Sequence, residues 1–488
     1  MRASHWFGWL LIASLIIGCA NPQPPAPQDP YAVYRPALLE AYQEDLDGLP
    51  TLPQYKLSLQ VDFDARTLRG EGSVLVPNPH AIPLSELYFR LYPNLPQYQG
   101  FLRIDTVSVA GKLASFDYVP DETSLHLLLD EPLPPEQTIE VQYTWQVKAP
   151  SIPSGYILFG ERLGVIDLPL AYPILAAPAP DGTWRLDQGV ALGDTLTAES
   201  SLYEAWVTVP PTLTLVSSAV VSSTRTYTNT PHVTYALVSG PAREFTLLLS
   251  PDHRVAERTV DGVQVCSYFL PGDEGAGNAA LTYAAAALQV YSRHFAPYPF
   301  RKMDVAAAML LNRGMEYPTL NMLGTDLYRR DRASLEFLTV HEVAHQWWYS
   351  QVGNDQVNEP WLDEGLAEYS TYFYYEDVYG QPVAERLLQN RWVIPVNYAR
   401  GQGLDAPLGL PAFEYSSHNY ETIVYGKGAL FFDALRQRLG DARFHQALRA
   451  YLEQYKYRIA TGADLQRVIE ETSGESVDDL FTTWVRGG

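Results

Sequence analysis

From about Leu52 to Pro251 apolar and polar residues alternate in short runs, and the alternation predicts β-structure. Tyr55, Leu57, Leu59, Val61 and Phe63 take every second position of one run, as a strand with one wet face requires. The pattern recurs in Leu87–Tyr92, Thr138–Trp145 and Ala205–Val209, punctuated by Pro, Gly, Asp and Asn. Short strands of this kind predict a sandwich or a large curved sheet. After Gly262 the texture changes. Asn278 to Tyr291 is rich in alanine and spaced for a helix, and Met303 to Leu310 reads as a buried strand. Beyond Asp331 helices dominate, at roughly 331–351, 363–379, 382–398, 422–439, 441–456 and 462–472. The expected architecture is multidomain, β then α+β. A β domain would span 51–252 and a mostly helical domain with a small sheet 253–488, with no large helical domain after it.

A length of 488 residues agrees with two domains or more. Hydrophobic residues at 47% and charged residues at 18% describe a globular chain. The formal charge of -22 argues against nucleic acid as a partner. Cys19 and Cys266 are the only cysteines, so no disulfide framework is available.

The first residues stand apart from the fold. Arg2 is followed by an apolar run from Trp6 through Gly18, too short for a comfortable membrane span. The run ends in Leu15-Ile16-Ile17-Gly18-Cys19, which resembles a bacterial lipobox, with Cys19 the residue that takes lipid. A signal peptide cleaved elsewhere, or an uncleaved anchor, are the alternatives. Residues 1–19 are therefore read as a lipoprotein signal peptide. Residues 20–50 are read as a Pro-rich tether and lead-in, placing the protein outside the cytoplasm, anchored by lipid to a membrane of the cell envelope.

Candidate chemistry sits in Val340-His341-Glu342-Val343-Ala344-His345, an HExxH pattern within a predicted helix. At about 3.6 residues per turn, His341 and His345 share a face and can reach one tetrahedral cation. Glu342 lies too close to His341 to add a ligand of good geometry, and can instead act as base toward the attacking water. Glu364 lies nineteen positions after His345, on a second predicted helix opened by Trp361-Leu362-Asp363. The intervening polar stretch, Tyr349 to Glu359, contains Gly353-Asn354-Asp355, which can turn the chain back. Two histidines and one carboxylate leave a fourth zinc position open, the arrangement of a catalytic site. One Zn2+ per chain is expected, although the ligand set alone admits other divalent ions. Glu368, four residues beyond Glu364, could orient a zinc histidine or form a structural salt bridge.

HExxH, eighteen residues, then Glu resembles the gluzincin aminopeptidases, peptidase family M1. The flanks His345-Gln346-Trp347-Trp348 and Trp361 to Tyr369 look like the two zinc helices of that family. The resemblance implies a β-saddle N-terminal domain and a thermolysin-like catalytic domain. It further implies that Glu316, in Gly314-Met315-Glu316, binds the free α-amine of a peptide, and that Tyr425 donates to the oxyanion. The sequence departs from the family motif at its ends, with Arg313 and Tyr317 in place of glycine and asparagine. A second acidic anchor from the β domain is not identifiable. The implied function is a zinc aminopeptidase acting on peptides with a free N-terminus. A metalloendopeptidase and a non-catalytic surface scaffold are the alternatives, and the oligomeric state is not legible.

Overall fold

A computed structural model describes residues 29–119, 121–152, 158–179, 183–189, 192–227, 230–310 and 313–488. The expected signal peptide, Cys19 and the first part of the tether lie outside these residues. Among the described residues no helix is long and apolar enough to cross a membrane.

The N-terminal region is built from three sheets. In the eight-stranded one, Gln54–Asp62 lies inside, parallel to Leu202–Val209 and antiparallel to Thr67–Pro77. The alternation in the sequence maps directly onto it: Tyr55, Leu57, Leu59 and Val61 are buried, and Lys56, Ser58, Gln60 and Asp62 face solvent. Two four-stranded sheets close over the buried face. Apolar residues from all three form one cluster, which includes Trp145, Phe159 and Tyr203.

A five-stranded mixed sheet opens the C-terminal half. Its order is Arg254–Val260, Val263–Phe269, Lys302–Ala308, Leu320–Gly324 and, at the edge, Gly314–Tyr317. Helix α1 (Glu274–His294) buries Ala276, Ala280, Ala284 and Ala287 at helical spacing, so small side chains let it sit close to its neighbours. Helix α2 (Arg332–Ala344) and helix α3 (Trp361–Tyr379) follow, with α2 started by an Asp331 cap that accepts from the Ser334 amide. Helix α4 (Gly428–Leu439) packs on α3 where Gly365 and Gly428 meet. A Cβ on either would lie within 3.0–3.2 Å of the other's backbone. Glycine at both positions lets the two backbones touch.

Three expectations change. The helix predicted over 331–351 ends at Ala344. Beyond His345 the chain tightens into turns, with Ser350 N–H on His345 O and Val352 N–H on Trp347 O. The indoles of Trp347 and Trp348 drive this by anchoring on different neighbours, Ala296 O at 2.8 Å and Ser370 Oγ at 3.1 Å. The polar stretch Tyr349 to Glu359, expected to turn the chain back, is largely buried. Ser350, Gln351, Asn354, Asp355 and Gln356 are all buried, held by residues of the β region. Arg243 donates to Tyr349 O at 2.6 Å, Tyr349 Oη donates to Glu244 at 2.7 Å, and Arg185 pairs with Asp355. Finally, the lead-in packs on the C-terminal half: Tyr34, Leu38 and Leu46 join the cluster that contains α1.

Candidate metal centre

α2 and α3 lie side by side, and His341, His345 and Glu364 converge where they meet. His345 caps α2 with helical backbone angles, φ −63° and ψ −13°, so it keeps its helical spacing to His341. Glu364 occupies the first turn of α3, where the helix dipole favours a negative charge.

The donor atoms form a nearly equilateral triangle. His341 Nε2 and His345 Nε2 are 3.2 Å apart, and Glu364 Oε2 lies 3.2 and 3.3 Å from them. On the far side of the imidazoles, Trp348 O lies 3.0 Å from His345 Nδ1 within a hydrogen bond, and the Glu368 carboxylate makes an ion-pair contact, Oε2 3.1 Å from His341 Nδ1. Protons on Nδ1 leave a lone pair on each Nε2. Three lone pairs then face one point with no proton to share among them, an arrangement stabilised by a cation. A tetrahedral ion with arms of about 2.0–2.1 Å sets its donors about 3.3–3.4 Å apart, so the residues present fit a metal of that size.

The electrostatics favour positive charge among these donors. Burial alone would lower the pKa of His341, but the carboxylates of Glu364 and Glu368 outweigh it and lift the pKa to about 9. Burial opposes the charge on Glu364 too, yet hydrogen bonds with His341 and His345 hold it well below the usual carboxylate range. For Glu342, burial and the charge of Glu316 prevail over the histidines, and its pKa rises to about 8.

A cavity of about 1230 Å³ opens onto this triangle, and Gly314, Glu316, Glu342, Glu368 and Tyr425 line it with the three donors. Tyr425 Oη donates to Glu364 Oε1 at 2.6 Å, and its ring stacks on His341 at 5.8 Å. Glu368 lies between His341 and a pair of donors from another helix. One oxygen faces His341, and the other accepts from Arg391 Nε at 2.6 Å and Trp392 Nε1 at 2.8 Å. Along the edge strand, alternation puts Gly314 and Glu316 on the cavity side. Met315 goes the other way, into an apolar cluster with Leu310 and Met322, so its side chain is a packing residue. Tyr317 is buried in the same cluster, and its carbonyl accepts from Gln346 Nε2 at 3.1 Å. Arg313 pairs with Glu421 at 2.8 Å on the cavity wall.

Several residues of the site carry no signal in the sequence. Asp194 lines the cavity from the β region, and burial together with Glu316 and Glu364 pushes its carboxyl well above the usual range. Gln356 bridges Glu316 and Asp363. Both belong to loops without periodicity or motif. Trp347, Trp348, Trp361 and Phe373 pack in the hydrophobic core.

Comparison with known proteins matches residues 279–484 to the Peptidase family M1 domain model. That stretch is similar to a peptidase family M1 domain. The match spans α2, α3 and Tyr425, and so includes every member of the donor triangle. Aminopeptidase M1-B of Oryza sativa subsp. japonica is 30% identical over 246 residues, covering 47% of this chain and 27% of the relative. Aminopeptidase N of Lactococcus lactis subsp. lactis is 24% identical over 430 residues, covering 80% of this chain and 47% of the relative. The chain thus spans between about a quarter and a half of the length of these curated relatives. Among solved structures, an M1 zinc metallopeptidase from Deinococcus radiodurans superposes with a TM-score of 0.66 at 20% identity. That alignment covers 89% of this chain and 93% of the other, and it supports the β-then-helical fold over both halves.

Proposed function

We propose that this chain is a zinc aminopeptidase that removes N-terminal residues from peptides. The observation that carries the reading is the triangle of lone pairs from His341, His345 and Glu364, sharing one cavity with Glu342, Tyr425 and Glu316. The names of the relatives, aminopeptidases and zinc metallopeptidases, support it. Zinc held by the three donors would supply Lewis acidity toward a carbonyl oxygen and toward water. The remaining work falls to side chains. Glu342 takes a proton from the attacking water and delivers it to the leaving amine nitrogen, so the base of the first half becomes the acid of the second. Tyr425 turns its hydroxyl from Glu364 to the oxygen that gains charge as the carbonyl is attacked. Glu316 receives the substrate ammonium by a charge-assisted hydrogen bond, which fixes the first peptide bond at the donor triangle.

A panel of free and N-acetylated aminoacyl amides, with and without chelator, tests this reading. Hydrolysis of the free-amine members only, abolished by chelator and restored by zinc, is expected. Equal hydrolysis of blocked and free members would replace it with an endopeptidase. The lipid on Cys19 would hold this activity at an extracytoplasmic membrane surface, and loss of radiolabelled lipid in a Cys19→Ser variant tests that placement.

A further inference from the structure

Gln356 stands between two buried carboxylates. Its Nε2 donates to Glu316 Oε1 at 3.2 Å and to Asp363 Oδ2 at 2.9 Å. Both amide hydrogens are thereby used, and Oε1 is left buried with no partner, a destabilising arrangement for an acceptor. The three side chains are nearly inaccessible, at 2% for Gln356, 3% for Glu316 and 2% for Asp363. Asp363 is itself held fast, since Oδ1 accepts from Asn354 Nδ2 at 3.0 Å and from the Glu364 amide at 2.9 Å. A continuous tie therefore runs from the edge strand through Gln356 to the first turn of α3, next to the metal donor Glu364.

The chemical type at 356 is restricted by what its neighbours must do. A lysine or arginine would neutralise Glu316 from within and compete with an incoming ammonium. A carboxylate would add a third like charge, and an apolar side chain would let two repelling acids separate. A neutral group with two N–H donors holds both acids and leaves their charge for the substrate.

We infer that Gln356 is a positioning residue for recognition of the substrate's α-ammonium, acting by fixing the Glu316 carboxylate at a set distance from the metal donors. This rests on the reading of Glu316 as the amine anchor. The test uses the zinc-loaded full chain and two inhibitors, an amino acid hydroxamate and its desamino counterpart. Their ratio of inhibition constants reports amine recognition without turnover. Gln356→Met, similar in length but without N–H donors, is expected to weaken the amino hydroxamate by roughly tenfold to hundredfold. The desamino compound and zinc content should not change, and KM for a free-amine substrate should rise more than kcat falls. Gln356→Asn cannot span both acids, so it should lose the preference by a smaller factor; it serves where the methionine variant does not fold. If Glu316→Gln erases the preference while both Gln356 variants retain it, the inference is overturned and the anchor stands. If Glu316→Gln also retains the preference, the anchor reading falls and the inference with it.

Discussion

Gly314 and Glu342 stand so close that a Cβ built on Gly314 would lie 1.9 Å from Glu342 Oε1. The edge strand therefore approaches the proposed base with no room for any side chain at position 314. Displacing Glu342 by even an ångström misaligns it with the water it must deprotonate. Gly314→Ala is predicted to lower kcat by about 100-fold with zinc content unchanged. A kcat within a factor of about three of the parent would show that this approach has no catalytic consequence.

Tyr425 already holds its hydroxyl against a metal donor, 2.6 Å from Glu364 Oε1. Removing that hydroxyl leaves the ring and its stacking on His341 in place. Tyr425→Phe should cut kcat by roughly 100- to 1000-fold with little change in KM. Steady-state kinetics on a free-amine substrate decides it, and a change confined to KM would assign the tyrosine to binding instead.

Glu368 serves His341 on one side and Arg391 with Trp392 on the other. Glu368→Ala removes the carboxylate that faces His341 Nδ1. Zinc affinity, read by competition with a chromophoric chelator, is predicted to fall about 10- to 100-fold. Unchanged affinity together with a lower melting temperature would reduce Glu368 to a structural ion pair.

His253 gives the fold an acid sensitivity away from the metal. It is 4% exposed, its Nε2 lies 3.1 Å from Ala307 O, and its Nδ1 has no partner. Burial lowers its pKa to about 4 from an ordinary value of 6.5. The unfolded chain therefore binds a proton that the folded chain refuses. Stability is fully present above about pH 6.5 and declines as pH falls toward 4, by up to about 3 kcal/mol at about 1.4 kcal/mol per pH unit. His253→Gln is predicted to flatten that part of the stability profile in urea unfolding. A slope identical to the parent's between pH 6.5 and 4 would remove His253 from the account.

What was legible in the sequence was what local geometry determines. His341 and His345 follow from helical spacing, and Glu364 from a second helix at a workable distance. The strand alternation at Tyr55 to Val61 carries straight into the buried face of the large sheet. The parts not legible depend on partners far away in the chain. Asp355 and Tyr349 lie in a polar stretch with no core pattern, and their partners Arg185, Arg243 and Glu244 come from the β region. Asp194 and Gln356 enter the site the same way, through loops whose sequence has no period. The end of α2 at Ala344 was hidden because Trp347 and Trp348 continue a helical pattern while anchoring to different elements.

The donor triangle is the centre of this account, and elemental analysis of purified full-length variants tests it most directly. One zinc per chain is predicted for the parent and for Glu342→Gln, which should lose most turnover, and none for His345→Ala. Zinc retained in His345→Ala, or lost equally from both variants, would contradict the assignment of His341, His345 and Glu364 as the ligands and Glu342 as the base.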